Sequence, residues 1–351
     1  MAQRQWRSDD TSKWTNAFGN GADGTYAPST GTDALTDSAC TGTSGTTSLT
    51  ATNVSFASGQ LILIHQTQGT GAGQWELNKI ATYTAGTITT SYALINTYAT
   101  GAQVVVMPQY SSGNIAGGVT LTGKAWNGTV GGIYVKFCNG TFTIGGTLNN
   151  GNGGFRGSNG PAQGESSLGS GASNNQSANG TGGGAALYNS SPGGGGYATA
   201  GQAGTSGGGE TYIGAGGGTI GIANLTTFFF GGAGGGNGDV GSGGNAAGII
   251  LIISKTITVT GTINNTAGNP GTGAGAGGSI LLKGQTITLG SSLVTANGGT
   301  GGTSAHKCGD GGVGRIHADY STSISGTTTP TIDSTLDITI AEASSGFFGF
   351  M

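Results

Sequence analysis

The chain has 351 residues, of which 78 are glycine, and only 7% are charged, against ~25% in an average globular domain. The net charge of −3 and the 11 scattered lysines and arginines exclude a phosphate-binding surface, so no nucleic-acid partner is expected. No apolar stretch approaches the length of a membrane-spanning helix, so membrane insertion is not expected either.

The first 45 residues are polar and rich in glycine, aspartate and threonine, which predicts an extended N-terminal attachment arm over residues 1–45. Trp6 and Trp14 are its apolar points, and we expect them to form assembly contacts. No apolar signal-peptide segment is visible. A surface of hydroxyl and amide groups without a visible leader predicts a virion or extracellular location. Assembly in a cytoplasm, another export route and a missing leader all stay open.

Residues 46–150 predict a β domain, because β-branched runs alternate with glycine and proline and no helical period is present. An internal repeat then extends into a second β-repeat domain at 247–340. Each copy is an apolar strand, a short turn, an alternating strand, a glycine step and another short strand. The copies span residues 131–149, 247–264 and 277–295. The spacing of the last two copies is typical of the coils of a β-solenoid, which bury their faces on one another.

A glycine-rich block at 151–246 separates the first two copies of the repeat. Because a structureless loop of this length is improbable inside a compact domain, we expect the block to be ordered. Glycines three residues apart, as at Gly151, Gly154, Gly157 and Gly160, suit polyglycine-II-like helices with three residues per turn. The predicted fold class is therefore all-β: a β-solenoid or β-sandwich-like scaffold carrying an inserted block of polyglycine-II-like helices.

The residues that could carry catalysis are sparse. A glycosidase needs paired carboxylates, and the candidate pairs among the 14 acids are Asp310 with Asp319 and Asp333 with Asp337. The cluster of candidate metal ligands includes His306 and Cys308 but lies among glycines that predict a turn. The three cysteines are expected to be buried and free. We therefore expect no enzyme activity, no metal and no cofactor.

The aromatic residues that interrupt the glycine runs have two possible roles. Packing is favoured for the phenylalanine triplet 228–230. Tyr188, Tyr197 and Tyr212 have small polar neighbours, which suits recognition of a sugar or a protein epitope, so they are the predicted ligand-binding residues. The apolar C-terminal tail, 341–351, predicts further assembly contacts through Phe347, Phe348 and Phe350.

Six strings stand out along the chain, at residues 60–69, 75–80, 102–104, 108–110, 125–128 and 154–157. Together they resemble a family of glycine-rich surface proteins predicted in environmental bacteria and phages. The resemblance covers most of residues 35–340 and implies a location more than an activity. A looser likeness, in composition and three-residue spacing, is to the glycine-rich adhesins at the tips of T-even phage tail fibres, whose polyglycine helices display variable loops.

Three functions are compatible with these patterns. The leading hypothesis is a non-enzymatic surface or virion adhesin, of the tail-fibre or receptor-binding type, that binds a host-surface glycan or protein. A structural subunit of a fibre, surface layer or virion is the second, with self-assembly or attachment to a larger particle through both ends of the chain. A polysaccharide depolymerase is the third.

Overall fold

The structure is a computed structural model that describes residues 18–52, 55–187, 190–205, 212–237, 241–270, 272–303 and 307–340. Within these ranges the protein is all-β, as the sequence predicts, and the helical content is a single 3-10 turn at Ile338–Ile340. None of the described segments forms a helix with the length and apolar character needed to cross a membrane.

Six antiparallel strands close into a small barrel in the order β3-β4-β7-β6-β5-β8. The closure is completed by β3, which pairs with both β4 and β8. The barrel encloses its own apolar core, to which Leu49, Ile62 and Val104 contribute fully buried side chains. Its strands are β3 (Asp37–Gly42), β4 (Ser48–Ala51), β5 (Leu61–Gln66), β6 (Trp75–Thr84), β7 (Thr87–Thr90) and β8 (Tyr98–Met107).

The other twelve strands form one curled parallel sheet. Its main path is β1-β10-β12-β14-β16-β15-β13-β11-β2, with β9 paired to β12 and with β17 and β18 added beyond β16. The strands are β1 (Thr25–Tyr26), β2 (Gly31–Asp33), β9 (Gln109–Tyr110), β10 (Ser112–Ile115), β11 (Thr120–Gly123), β12 (Ile133–Ile144), β13 (Thr147–Asn149), β14 (Ile249–Val259), β15 (Thr262–Asn264), β16 (Ser279–Thr295), β17 (Arg315–Thr329) and β18 (Asp333–Leu336).

The internal repeat is confirmed by the register of the long strands. Ile133 of β12 lies beside Ile249 of β14, which lies beside Ser279 of β16. The same row continues to Arg315 of β17, which adds a fourth copy that the sequence pattern did not single out. Equivalent residues of successive copies therefore stack directly on one another.

Both faces are buried over the first six residues of β12, β14 and β16, which explains why these stretches are almost continuous apolar runs. One face points into the curl of the sheet and forms an inner core, where Tyr134, Ile250 and Ile280 pack together. The other face forms an outer core with the barrel and the glycine-rich segments. In that outer core Trp75 of β6 stacks on Phe228 with ring centroids 4.4 Å apart.

The glycine-rich segments are held by main-chain hydrogen bonds that join segments distant in sequence. Gly183 donates to the carbonyl of Ala233, and Gly195 donates to that of Ala274. The segments approach so closely that a Cβ atom on Gly195 would lie 1.9 Å from the carbonyl oxygen of Gly232. Backbone packing of this kind is open only to glycine, and it repays part of the backbone entropy that ordered glycine loses.

Several predicted boundaries and finer features differ from the structure. Residues 18–45 are not a free arm, because β1 and β2 join the parallel sheet and β3 closes the barrel. The predicted β domain at 46–150 is divided between the two sheets. The glycine network extends beyond 246 to segments at 273–278, 298–302 and 309–314. The regular elements of the described chain are a barrel and a curled parallel sheet, and neither a solenoid nor polyglycine helices are among them.

Candidate functional site

A cleft of about 390 Å³ lies where the barrel meets the glycine-rich segments. We call it the barrel cleft. One wall comes from β3, β4 and β8, and the others come from the loop after β5, the turn after β11 and the exposed Leu168. Its lining residues are Ala39, Cys40, Thr41, Thr50, Thr52, Gln68, Gly69, Thr100, Gly101, Ala102, Gly128, Thr129 and Leu168.

The buried carboxylate of Glu165 fixes two walls of the cleft. It accepts hydrogen bonds from the backbone N–H and guanidinium of Arg156 and from the side-chain amide of Gln68. Arg156 in turn donates to the carbonyl of Asn127, beside the turn that lines the cleft. These contacts raise the pKa of Arg156, chiefly through its hydrogen bonds to Glu165. Because charge-assisted bonds are stronger than neutral ones, the walls are held in one arrangement.

Glycine is required at two points of the cleft. Gly101 has φ +96° and Gly128 has φ +101°, in the left-handed region that residues with a Cβ rarely adopt. A Cβ on Gly101 would lie 2.6 Å from the carbonyl of Gln68, and one on Gly128 would lie 2.6 Å from the Arg156 guanidinium. The backbone at both positions is therefore part of the site's shape.

The lining of the barrel cleft carries hydroxyl and amide groups and no charged side chain. Thr100 and Thr129 are exposed residues, and the hydroxyls of Thr41 and Thr50 bond to each other at 2.7 Å. Leu168 is 70% exposed and supplies an apolar surface beside them. Burial raises the pKa of the Cys40 thiol well above its ordinary value, so this thiol stays protonated and unreactive. The arrangement suits a neutral ligand with both hydroxyl groups and an apolar face.

A second, shallower cleft of about 320 Å³ lies on the glycine network. Its polar side chains are the exposed amides of Asn152, Asn245 and Asn269. Each of these uses its side-chain oxygen to accept a backbone N–H of a neighbouring segment. The three asparagines therefore hold the network together at this surface.

The two predicted ligand-binding tyrosines that the structure describes, Tyr197 and Tyr212, lie in different environments. Tyr197 is fully buried, its hydroxyl lies 2.7 Å from that of Ser279, and Arg315 lies over its ring. It is therefore a packing residue with no surface free for a ligand. Tyr212 is 46% exposed. Tyr188 lies outside the described residues, and neither of the other two tyrosines lines a cleft described above.

The phenylalanine triplet packs, as predicted: Phe228, Phe229 and Phe230 are all buried. The predicted assembly contacts Trp6, Trp14, Phe347, Phe348 and Phe350 all lie outside the described residues, so those interpretations stay predictions.

The candidate catalytic and metal residues are engaged in other contacts. Asp310 accepts the backbone N–H of Gly301, while His317 lies between Asp319 and Asp333 at 3.0 and 2.8 Å. Burial by itself raises the pKa of Asp319, but the hydrogen bond from His317 and the charge of Lys283 hold it well below its usual range. Cys40, Cys138 and Cys308 are buried, as predicted, and none of the three is in a disulfide bond, while His306 lies outside the described residues. In the part of the chain that the structure describes, no three histidine, cysteine or acidic side chains could together hold a metal ion.

No sequence pattern indicates the barrel cleft. Its lining residues are mostly threonines, alanines and glycines, which are common in this chain, and they come from six separate segments. Comparison with known proteins adds no functional assignment: no protein-family model matches the chain, and no curated protein sequence is significantly similar to it.

Proposed function

We propose that the protein is a non-enzymatic adhesin that binds a neutral host-surface glycan in the barrel cleft. The observation that carries the proposal is the cleft itself, which combines exposed threonines, a fixed amide and the apolar surface of Leu168 with no charged lining residue. Its volume of about 390 Å³ lies within the ~300–1,000 Å³ usual for ligand sites. A sugar presents hydroxyl groups and an apolar ring face, which match these two kinds of surface.

Binding fits the site better than hydrolysis. Glycoside hydrolysis needs two carboxyl groups facing the scissile bond, and neither described cleft has an acidic lining residue. Described acids form other contacts: Asp37 pairs with Lys124, Glu165 pairs with Arg156 and Glu76 accepts backbone N–H groups. These contacts favour the adhesin over a depolymerase.

The scaffold supports the same proposal. The stacked repeats and the hydrogen-bonded glycine segments would hold the cleft rigidly, which lowers the entropy lost on binding. The resemblance to glycine-rich surface proteins and the low charge favour a virion or extracellular location.

The test is an array of neutral oligosaccharides, followed by calorimetry with the glycan that binds best. Thr129→Trp, which fills the cleft, and Leu168→Ala, which removes its apolar surface, should each weaken binding at least tenfold, or about 1.4 kcal/mol. The matched control is Ile222→Ala, because Ile222 is also an exposed aliphatic residue, at 48%, but does not line the cleft. Its affinity should equal that of the wild type.

A structural subunit is the second candidate. Next to β18, which pairs with β17 along one edge, Leu336 and Ile338 are 57% and 71% exposed. A strand edge with apolar side chains can pair with a second copy of the chain. Sedimentation of the same samples distinguishes the two candidates: concentration-dependent assembly without glycan binding would support the subunit.

A further inference from the structure

Lys136 is a buried lysine inside the curl of the parallel sheet. It belongs to β12, where its side chain is 0% exposed and points into the inner core. Three tyrosine rings surround it: Nζ lies 4.5 Å from the ring centroid of Tyr26, 4.8 Å from that of Tyr134 and 5.9 Å from that of Tyr110. An ammonium group in such a place has lost most of its hydration, which is costly unless a partner compensates.

The partner is the carboxyl group of Asp33, at the end of β2. Lys136 Nζ lies 2.5 Å from Asp33 Oδ2, yet this contact lacks the direction of a hydrogen bond, and Nζ has no hydrogen-bond partner. The same carboxyl oxygen accepts the hydroxyl of Tyr26 at 2.5 Å. The Asp33 side chain is 16% exposed, so the carboxyl group has a route to solvent.

The environment favours the uncharged form of Lys136. Burial lowers the pKa of Lys136, against the opposing effect of the nearby Asp33. A proton shared across the contact gives a neutral amine next to a carboxylic acid, and a desolvated neutral lysine is a nucleophile. Burial and the hydrogen bond to Asp33 raise the pKa of Tyr26, so its hydroxyl remains a proton donor to Oδ2.

We propose that Lys136 and Asp33 condense within the folded protein to form an intramolecular isopeptide bond. The Nζ lone pair attacks Asp33 Cγ, the Nζ–Cγ bond forms and the Cγ–Oδ2 bond breaks. Oδ2 leaves as water, carrying protons that came from the lysine amine and the carboxylic acid, with the Tyr26 hydroxyl positioned to relay one of them. An ammonium and a carboxylate thus become one amide and one water, with no oxidant, reductant or activated co-reactant. The fold supplies the reaction by holding the two groups together in the absence of bulk water.

The bond would join two strands far apart in the sheet. Asp33 ends β2, the last strand of the path on one side, whereas β12 lies near the other end of that path. The bond would anchor the first described segment of the chain to its core. It would thereby help an adhesin that is attached to a surface to withstand a pulling force.

Two other lysine–aspartate pairs serve as internal controls. Lys124 Nζ bonds to both oxygens of Asp37, at 2.6 and 2.9 Å, but its side chain is 34% exposed, so its ammonium stays hydrated. Lys283 pairs with Asp319, whose carboxylate also bonds to His317 and is held ionised. We expect neither pair to condense.

The test is the intact mass of the purified full chain after unfolding. The proposal expects a mass one water lighter than the sequence mass, and a protease digest in which a peptide containing Asp33 is joined to one containing Lys136. Lys136→Arg and Asp33→Ala should restore the full mass, whereas Lys124→Arg should keep the deficit. Tyr26→Phe should slow the appearance of the deficit after refolding.

The wild-type measurement is decisive by itself, because it does not depend on whether a variant folds. A folded wild-type chain with its full sequence mass would show that Lys136 and Asp33 form only a buried ion pair. A deficit that persists in Lys136→Arg, or that maps to another pair, would equally overturn the assignment.

Discussion

His65 links the barrel to the glycine-rich segments through a fixed tautomer. The carbonyl oxygen of Phe228 can only accept, so His65 Nε2 carries the proton that it donates over 3.1 Å. Nδ1 then accepts the hydroxyl of Thr67 at 2.9 Å, and that hydroxyl oxygen accepts the amide of Gln103. Protonation of Nδ1 would remove the hydrogen bond that Thr67 donates to it. The folded protein therefore favours the neutral form of His65.

This arrangement predicts acid-sensitive stability. Burial lowers the pKa of His65 from 6.5 to about 4, although its bond to Phe228 opposes the shift. In the unfolded chain His65 therefore binds a proton as the pH falls below about 6.5. In the folded chain it binds that proton only near pH 4. Stability should fall by about 2 kcal/mol between about pH 7 and pH 5 from this residue alone.

Urea unfolding at the two pH values measures the effect. In His65→Gln the change between them should be smaller than in the wild type by about that amount, whatever the absolute stability of the variant. Equal pH dependence in the two proteins would show that His65 is not the responsible group.

Single glycines of the hydrogen-bonded segments should be as sensitive as core residues. A Cβ on Gly195 would lie 1.9 Å from the backbone oxygen of Gly232, which cannot move without breaking the network. We expect Gly195→Ala to cost about 3 kcal/mol or more, measured by chemical unfolding.

The control is Gly117→Ala, where the nearest atom lies 3.9 Å from the added carbon and the glycine is exposed. Its stability should stay within about 0.5 kcal/mol of the wild type. Equal stabilities of Gly195→Ala and Gly117→Ala would contradict the close packing of the glycine segments.

At the scale of elements, two equivalent asparagines close the turns of the stacked repeats. Asn150 follows β13 and donates its side-chain amide to the carbonyls of Gly132 and Ile249. Asn265 follows β15 and makes the same pair of bonds one copy further on, to Gly248 and Ser279. Both side chains are buried, so each amide gives two carbonyls a donor where water cannot reach them. The carbonyls of Gly132 and Gly248 also accept the backbone N–H groups of Ile249 and Ser279.

Removing either amide should therefore destabilise the protein. We expect Asn150→Ala and Asn265→Ala each to cost about 1–3 kcal/mol, because two buried carbonyls lose a donor. Asn159→Ala, at an exposed position, is the comparison and should change stability by less than about 0.5 kcal/mol. Thermal or urea unfolding that ranks the three variants equally would contradict this role.

The elements differ in how far the sequence predicts them. The long strands β12, β14 and β16 were predictable because both faces are buried and their apolar runs recur with the same turns. The barrel was not, because its closure depends on β3, whose residues 37–42 are mostly small or polar and pair with a strand about sixty residues away. Strands of two or three residues, such as β1 and β2, carry no periodic signal.

Contacts between residues that are distant in sequence also explain why the candidate site could not be predicted. Tyr197 has the neighbours of a recognition residue, but its hydroxyl is satisfied by Ser279, 82 residues further along the chain. The barrel cleft arises only when six segments meet, and most of its lining residues are of types that are common throughout this chain. Local patterns thus predict elements here, whereas the cleft depends on tertiary contacts.

At the scale of the whole molecule, the hydrogen-bonded glycine-rich segments support the uncharged barrel cleft where they meet the barrel. The Glu165–Arg156 pair joins the two parts directly behind that cleft. Rigid walls, neutral lining groups and a low overall charge together favour specific binding of a neutral ligand over electrostatic attraction. Binding should therefore depend little on ionic strength.

The most direct test of this account is calorimetric titration of wild type, Thr129→Trp and Ile222→Ala with the best neutral glycan from the array. The account predicts saturable binding by the wild type and by Ile222→Ala, and at least about a tenfold loss in Thr129→Trp. Undiminished binding by Thr129→Trp, or no binding of any neutral glycan by the wild type, would contradict it.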